Sequence, residues 1–310
     1  MSCVFGPVPS RRLGLSLGID LIPAKTCTFD CLYCQVGRTT LRTLETRPFV
    51  PVSEVVAELE RKLQNTVPDT ITLAGSGEPT LHSQIDQVIA AIKEMTETKA
   101  AVLTNGSLFW REEVRERVMK ADIIMPTLSS AFSNTFTMIH RPHPELKLDA
   151  IVEGLKRLRK DFRGQLFLEV VILAGINDRE HEVEGIKTLI DQISPEKTQL
   201  NTVVRPPADS RALPLGRKRM EEIRAFFGKN AEIVGEIPFE EKGSEGDDLV
   251  SGFLDMVKRR PLRPVDISNT FGLSMDAVED LVKGLLIKGY ICKQEHSEDV
   301  YYLSREGNDG

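Results

Sequence analysis

Three cysteines lie within eight residues, in the run Cys27-Thr-Phe-Asp-Cys31-Leu-Tyr-Cys34, which gives a C-x3-C-x2-C spacing. Thiolates bind zinc, copper(I) and iron–sulfur clusters, and three so close together can converge on one centre. A closed structural metal site usually has four protein ligands. The other two cysteines, Cys3 and Cys292, have no partner at ligand spacing. The motif therefore predicts a metal centre with one coordination position open to a cofactor or substrate.

Two structural alternatives are open for the same cysteines. One is a zinc site completed by a distant histidine, either His140 or His143, and the other is chance clustering of buried thiols. Both leave the open coordination position and the neighbouring motifs unexplained. Five cysteines with three of them clustered also make a poor disulfide framework, which favours a reducing compartment.

A glycine-rich motif follows the next predicted strand, residues 70–74. Its sequence is Gly75-Ser76-Gly77-Glu78-Pro79-Thr80. Glycine lets the backbone approach a bound ligand closely, and Glu78 adds a negative charge. Most glycine-rich turns only connect two elements, but this one follows the cysteine motif at the next strand end. That position favours a second ligand-binding loop.

The cysteine spacing, with the aromatic Tyr33 just before the last cysteine, resembles the signature of the radical S-adenosylmethionine (radical SAM) superfamily. The resemblance implies that Cys27, Cys31 and Cys34 bind three irons of a [4Fe–4S] cluster. S-adenosylmethionine then chelates the fourth iron through its amino and carboxylate groups. An electron from the cluster cleaves this cofactor to methionine and a 5′-deoxyadenosyl radical, which removes a hydrogen atom from the substrate. An electron donor such as a flavodoxin or ferredoxin is an implied partner.

The same resemblance implies a set of cofactor contacts. The glycine-rich motif resembles the one that holds the methionyl amino group, and residues 173–177 resemble the segment that contacts adenine. Residues after the third and fourth strands often lie near the cofactor ribose and carboxylate; here a simple turn or a helix cap is an equal alternative. The implied cofactor-binding residues are Tyr33, Gly75, Ser76, Gly77, Glu78, Asn105, Ser129 and Asn177.

Residues 7–14 and 27–38 are similar to a subgroup related to the wyosine-type tRNA-modifying synthases. Those synthases hold a second cluster on additional N-terminal cysteines, whereas only Cys3 precedes the motif here. The resemblance therefore identifies the superfamily without fixing the reaction or a catalytic residue. The substrate is left open among an RNA nucleoside, a peptide and a small metabolite.

Four arginines accompany these motifs. Arg11 and Arg12 lie in the N-terminal arm, Arg141 lies in the turn that also carries both histidines, and Arg205 follows the last long predicted strand. Together they are candidates for an anion site that holds the cofactor carboxylate or a phosphate-bearing substrate. The alternative for each arginine alone is solvated surface charge.

Strands and helices alternate between residues 16 and 234, which predicts an α/β fold with parallel strands and helical crossovers. Periodicity alone does not separate a barrel from a doubly wound sheet, but the six units match the partial (β/α)6 TIM-like barrel that the resemblance implies. In either fold the chemistry lies at the carboxyl ends of the strands. The predicted strands are residues 16–22, 70–74, 100–103, 122–128, 166–173 and 200–204, with a short last strand at 231–234.

A smaller domain is predicted after a polar linker. Residues 1–235 form the barrel domain, 236–248 the linker and 249–310 a winged-helix-like domain of helices and a hairpin. Residues 247–310 carry 12 Asp plus Glu against 8 Lys plus Arg, which disfavours DNA and favours a protein contact or a packing role. A winged-helix regulator that senses iron–sulfur status is the alternative function, and it requires a basic recognition surface.

The bulk composition is that of an ordinary folded enzyme. Hydrophobic residues make up 41% and charged residues 28% of the 310 residues, and the net charge of −6 gives no global signal for nucleic-acid binding. No stretch approaches the roughly 20 apolar residues that span a bilayer. The N-terminus has no leader pattern, so we expect a cytoplasmic protein without membrane contact.

Overall fold

The structure is a computed structural model that describes residues 2–234 and 249–305. These residues form an α/β fold around one eight-stranded sheet. The strands of this sheet are β1 (Val4–Ser10), β2 (Gly14–Ile19), β5 (Thr70–Leu73), β6 (Lys99–Thr104), β7 (Ile123–Pro126), β8 (Gln165–Val171), β9 (Lys197–Asn201) and β10 (Ala231–Ile233). Two short strands, β3 (Thr26–Cys27) and β4 (Leu41–Arg42), pair with each other outside it.

Helices connect consecutive strands of the sheet. They are α1 (Val52–Leu63), α2 (Ile85–Met95), α3 (Glu112–Val118), α4 (Ser133–His140), α5 (Leu148–Asp161), α6 (Glu180–Ile193) and α7 (Arg217–Phe227). Their apolar faces and the buried strands share one large core, in which every residue of β5 and β7 is buried. Strands buried on both faces explain the near-continuous apolar runs of the sequence.

The order of the strands in the sheet follows their order in the chain. It is β1-β2-β5-β6-β7-β8-β9-β10, and all neighbours from β2 onward are parallel. Each crossover therefore steps in the same direction, whereas a doubly wound sheet reverses direction at a switch point. The carboxyl ends of seven strands consequently share one edge of the sheet.

All the predicted strands of the sheet are present, with ends that differ by up to three residues. The arm that carries Pro7 and Pro9 is strand β1, which tolerates proline because it is the antiparallel edge strand. Helix α1 begins directly after Pro51. Helix α4 was not predicted. Strand β9 begins three residues earlier than expected, since its buried polar residues, such as Gln199, concealed the strand.

The described part of the C-terminal region contains α8 (Leu249–Arg259), α9 (Pro264–Phe271), α10 (Met275–Ile287) and the hairpin β11 (Ile291–His296) and β12 (Asp299–Ser304). The predicted helices and hairpin are present. Gly272 after α9 is left-handed, and the Ser274 hydroxyl caps α10 by accepting from Ala277 N at 3.3 Å. The predicted linker 236–248 lies outside the described residues, and the division into domains stays a prediction.

The C-terminal elements pack against β1 and against the segment that follows β9. Val8 of β1 belongs to the apolar cluster of α8, α9 and α10. The hydroxyl of Tyr301 in β12 donates to Val204 O, just after β9, at 2.6 Å. Contact of one small region with β1 and with the end of β9 requires the sheet to curl.

A buried ion pair joins this region to the sheet. Arg259 Nε lies 3.2 Å from Asp20 Oδ2, and the two side chains are only 6% and 8% exposed. The Arg259 guanidinium also lies 4.7 Å from the centre of the Phe5 ring. A buried carboxylate that loses its cation is costly, so this contact holds the C-terminal region in place.

No helix in the two described ranges combines the length and the apolar character that crossing a bilayer requires.

We predict that Arg259→Met lowers the free energy of unfolding by about 3–5 kcal/mol, because it leaves the Asp20 carboxylate buried without its cation. Urea denaturation measures the change. The matched control is Arg224→Met, which removes an exposed ion pair with Glu221 and costs at most about 1 kcal/mol. Equal effects of the two substitutions would contradict this account.

Candidate metal and cofactor site

One cavity of ≈ 410 Å³ lies where the cysteine loop and the glycine-rich loop meet. Cys27, Cys31 and Cys34 all line it, and each is a free, half-buried thiol. Residues after β5 and β6 line the same cavity, namely Gly75, Gly77, Glu78 and Asn105. The structure thus brings together the two motifs that the sequence analysis singled out.

The two loops are joined through their backbones. Lys25 N donates to Ser76 O at 2.8 Å, and Glu78 N donates to Thr26 O at 3.2 Å. A Cβ atom at Gly77 would lie 2.1 Å from Thr26 O, far inside van der Waals contact. Glycine is therefore required at this position for the two loops to meet.

Asp20, at the end of β2, fixes the first part of the glycine-rich loop. Its Oδ2 accepts from Ser76 N at 3.1 Å and from Ser76 Oγ at 2.6 Å, in addition to Arg259. Gly75 has a φ of +153°, and a Cβ there would lie 2.3 Å from the Asp20 carboxyl carbon. The Ser76 hydroxyl is thus engaged with Asp20, and Ser76 is not among the residues that line the cavity.

Glu78 is 2% exposed and fastens the glycine-rich loop to the end of β6. Its Oε1 accepts from Thr80 Oγ1 and Thr104 Oγ1, each at 2.6 Å, and its Oε2 accepts from Asn105 N at 2.8 Å. Burial raises the pKa of this carboxyl group, while the hydrogen bonds oppose that rise. The predicted contact of Glu78 with the cofactor ammonium group stays a prediction.

The cysteine loop rests on helix α4 and on aromatic rings. Leu32 N donates to Ile139 O at 2.8 Å, and the ring centroids of Phe29 and His140 are 5.0 Å apart. His140 Nδ1 lies 3.3 Å from Cys31 Sγ. Burial lowers the pKa of His140 to about 3, so a neutral imidazole lies beside the sulfur.

The donor set fits a cluster better than a single ion. Within residues 2–234 and 249–305, no three His, Cys, Asp or Glu side chains are grouped to hold one metal ion. His143 forms a turn instead, since its backbone N donates to Thr28 O at 2.9 Å and its Nδ1 accepts from Glu145 N at 3.4 Å. His143 is therefore not placed as a zinc ligand, and His140 lies beside Cys31 alone. Three thiols around one cavity suit a group with several irons.

Burial also determines the protonation of these thiols. Burial first, and the charge of Glu78 second, raise the pKa of Cys27 to about 12, and burial also raises the pKa values of Cys31 and Cys34. The protein alone therefore does not ionise the three sulfurs, and the positive charge of iron, when bound to them, would favour the thiolates. Asn105 Nδ2 donates to Cys27 Sγ at 3.5 Å, the kind of contact that tunes a cluster potential.

The other predicted cofactor residues fall into two groups. Tyr33 lines the cavity, with its ring edge-on to His140 at 5.8 Å. Ser129 and Asn177 are fully buried and are not among the lining residues. Asn177 Oδ1 accepts from Leu173 N at 2.7 Å and its Nδ2 donates to Ser129 O at 2.7 Å, so this amide connects the ends of β7 and β8.

Three of the four predicted arginines meet at the cavity. Arg11, Arg12 and Arg205 line it, whereas Arg141 pairs with Asp30 and Asp209 beside the cysteine loop. Arg259 and Arg260 were not predicted as site residues, and both line the cavity from the end of α8. Their signal was the dense basic run at residues 258–263 of an otherwise acidic region.

Comparison with known proteins identifies the family. The sequence model of the radical SAM superfamily matches residues 21–184, which span the cysteine loop, the glycine-rich loop and β8. The chain belongs to the radical SAM superfamily. Enzymes of this superfamily use a [4Fe–4S] cluster and S-adenosylmethionine, and this radical SAM enzyme carries the three thiols that such a cluster requires.

The relatives differ in how much of their length the chain covers. The UPF0026 protein MJ1312 of Methanocaldococcus jannaschii is 33% identical over 316 residues, which cover 98% of this chain and 96% of that protein. A protein named GTPase Obg from Brachyspira hyodysenteriae is 35% identical over 295 residues, covering 94% of this chain but only 43% of that relative. The chain thus spans less than half of that relative, and its name is a statement about that protein alone.

A solved structure has the same fold. Streptococcus suis SuiB bound to the precursor peptide SuiA aligns with a TM-score of 0.55 at 14% identity, over 70% of this chain and 48% of that chain. At this identity the likeness concerns the fold alone.

We predict that Gly77→Ala prevents assembly of the centre. The added Cβ pushes against Thr26 O, so the cysteine loop must shift, at a cost of about 1–3 kcal/mol or more. Iron content after anaerobic reconstitution and the melting temperature are the measurements, and both should fall.

The matched control is Gly284→Ala in α10, where a Cβ meets open space and helix propensity improves by about 0.5–1 kcal/mol. It should retain its iron. A Gly77→Ala protein with the iron content of the wild type would show that the loops tolerate separation.

Proposed function

We propose that this chain reductively cleaves S-adenosylmethionine at a [4Fe–4S] cluster held by Cys27, Cys31 and Cys34. When bound, these groups supply a 5′-deoxyadenosyl radical that removes a hydrogen atom from a substrate in the cavity. The observation that carries the proposal is that the three thiols line the same cavity as the glycine-rich loop. Three thiolates leave one iron of the cluster without a protein ligand.

The residues around the thiols have defined tasks in this proposal. The backbone of Gly75 and Gly77 offers close approach for the methionyl ammonium group, and the Glu78 carboxylate attracts its charge. Asn105 and His140 orient two of the sulfurs by their contacts with Cys27 and Cys31. Second contacts of this kind tune a metal centre as well as position it.

The far wall of the cavity orients the substrate. Glu169 accepts from Thr127 Oγ1 at 2.9 Å and from Asn201 Nδ2 at 3.1 Å, and it pairs with Arg12. Glu169, Asn201 and Thr127 come from β8, β9 and the segment just after β7, respectively. In the strand order they lie beyond β6, away from β5, which the glycine-rich loop follows. Apolar side chains limit the entry of water and of stray hydrogen donors; they are Phe5, Leu103, Met125 and Val171.

The proposal extends to the finer architecture. Sequential parallel strands that curl support a partial (β/α)6 TIM-like barrel for residues 1–235, and three helices followed by a hairpin support a winged-helix domain for 249–310. The partners we propose are a flavodoxin or ferredoxin as electron donor and a substrate that is an RNA nucleoside, a peptide or a metabolite. Oxygen-sensitive clusters and free thiols suit the reducing cytoplasm.

The regulator alternative finds no support in the C-terminal helices. A recognition helix requires a basic face, and α10 carries Lys283 but also Asp276, Glu279 and Asp280. We therefore propose no second function.

We predict that the anaerobically reconstituted chain binds about four irons and forms 5′-deoxyadenosine and methionine from S-adenosylmethionine and dithionite. Cys31→Ala should abolish product formation, because one iron loses its thiolate. Chromatography of the products and iron analysis are the measurements.

The matched control is Cys292→Ala, which removes a half-buried thiol of the β11 strand outside the cavity and should retain iron and product. Iron binding without cofactor cleavage would favour a sensor, and zinc binding alone would favour a scaffold. Either result contradicts the proposal.

A further inference from the structure

The wall of the cavity carries an excess of positive charge. Five arginines line it, against two glutamates, Glu78 and Glu169. The arginines are Arg11, Arg12, Arg205, Arg259 and Arg260.

Two of these arginines form ion pairs that neutralise their charge. Arg12 pairs with Glu169, and Arg259 pairs with the buried Asp20. The other three, Arg11, Arg205 and Arg260, make no ion pair within the described residues, and we name them the arginine triad.

The carboxylate of Asp266 acts on two members of the triad, but it is already paired with another arginine. Asp266 acts on Arg205 and Arg260 from a distance, but its own contacts are with Arg263 at 3.3 Å. The polar contact of Arg205 is a long one of 3.4 Å to Gln35 Oε1, and its Nε is buried without a hydrogen-bond partner. A buried guanidinium N–H group normally has a hydrogen-bond acceptor, so this one indicates an acceptor that the protein itself does not provide.

The electrostatics of the triad agree with this geometry. Burial first, and repulsion from Arg205 second, lower the pKa of Arg11 to about 10 and that of Arg260 to about 9. Like charges that face one cavity destabilise the empty protein and favour an anion between them.

The cofactor does not supply that anion. S-adenosylmethionine has one carboxylate, which the superfamily resemblance assigns to the open iron, and its sulfonium and ammonium groups make its net charge positive. The triad also comes from the β1–β2 turn, the segment after β9 and the end of α8, whereas the cysteine and glycine-rich loops follow β2 and β5. Arg205 reaches the edge of the cysteine loop at Gln35, and we assign the triad to the substrate because its three residues come from elements other than the two cofactor loops.

We propose that the arginine triad binds the phosphate group of a small-molecule substrate, a phosphomonoester or a diphosphate; this inference rests on the proposed function. A phosphomonoester carries a charge of about −1.5 to −2 at neutral pH, which offsets most of the excess. Guanidinium groups match phosphate oxygens through paired hydrogen bonds.

A small molecule fits better than a nucleic acid. The triad lines a concave cavity of ≈ 410 Å³ that the three thiols also line. Nucleic-acid affinity comes from many phosphate contacts along an extended basic surface. This chain has a net charge of −6, and its C-terminal region is acidic.

The test is calorimetric titration of the reconstituted full chain, with S-adenosylmethionine bound and without reductant, using sodium pyrophosphate at constant ionic strength. The wild type should bind saturably, and Arg11→Gln, Arg205→Gln and Arg260→Gln should each weaken binding by about tenfold or more. The matched control is Arg61→Gln on the exposed face of α1, which should bind as the wild type does.

A second readout separates binding from a structural role. Each triad substitution removes a repelled charge, so the melting temperature without pyrophosphate should stay the same or rise. Loss of binding together with a lower melting temperature would overturn the inference, as would unchanged binding in all three variants or no binding by the wild type.

Two further results complete the test. A single-stranded RNA of about 12 nucleotides that binds more tightly than pyrophosphate, with a steep salt dependence, would overturn the small-molecule class. Pyrophosphate binding needs no reductant, so it is independent of cofactor cleavage. A chain that binds pyrophosphate without forming 5′-deoxyadenosine refutes only the proposed function, and the reverse result refutes only this inference.

Discussion

Two loops that follow neighbouring parallel strands meet backbone to backbone at the edge of the sheet, and the whole centre depends on this contact. Hydrogen bonds from Lys25 N to Ser76 O and from Glu78 N to Thr26 O hold the loops together, and the absent side chain of Gly77 lets them approach. The first loop carries three thiols and the second offers bare backbone. A centre for a cluster and an amino-acid cofactor therefore requires that β2 and β5 be adjacent and parallel.

The same contact links the C-terminal region to the chemistry. Asp20 accepts hydrogen bonds from Ser76 of the glycine-rich loop and from Arg259 of α8. Because the buried Asp20 carboxylate requires all its donors, a shift of α8 that moves Arg259 also disturbs the glycine-rich loop. The region predicted as a separate domain thus contributes to the cavity wall, through Arg259 and Arg260, as well as covering β1.

The cysteine and glycine-rich motifs were predictable because their residues are close in sequence and their chemistry depends on spacing. Parallel strands were predictable for the same reason, since periodicity is a local property. Contacts between distant segments were not. Arg259 and Asp20 are 239 positions apart, and Arg12 and Glu169 are 157 apart, so no local pattern relates them.

Two further differences concern individual residues. Arg141 shares its residue type with the cavity arginines, but nearby Asp30 and Asp209 hold it beside the cysteine loop. Asn177 lies in a segment similar to one that contacts adenine, yet its amide is fully occupied by backbone groups of β8 and Ser129. In both cases the partners that occupy the side chain become known only from the fold.

The most direct test of the central claim is to ask what binds the iron that has no cysteine. Electron–nuclear double resonance on the reduced, reconstituted chain, with S-adenosylmethionine labelled by nitrogen-15 at its amino group, reports contact between that nitrogen and the cluster. The account predicts a hyperfine coupling that disappears with the unlabelled cofactor. A cluster spectrum that is identical with labelled, unlabelled and no cofactor would contradict it, because the fourth iron would then have another ligand.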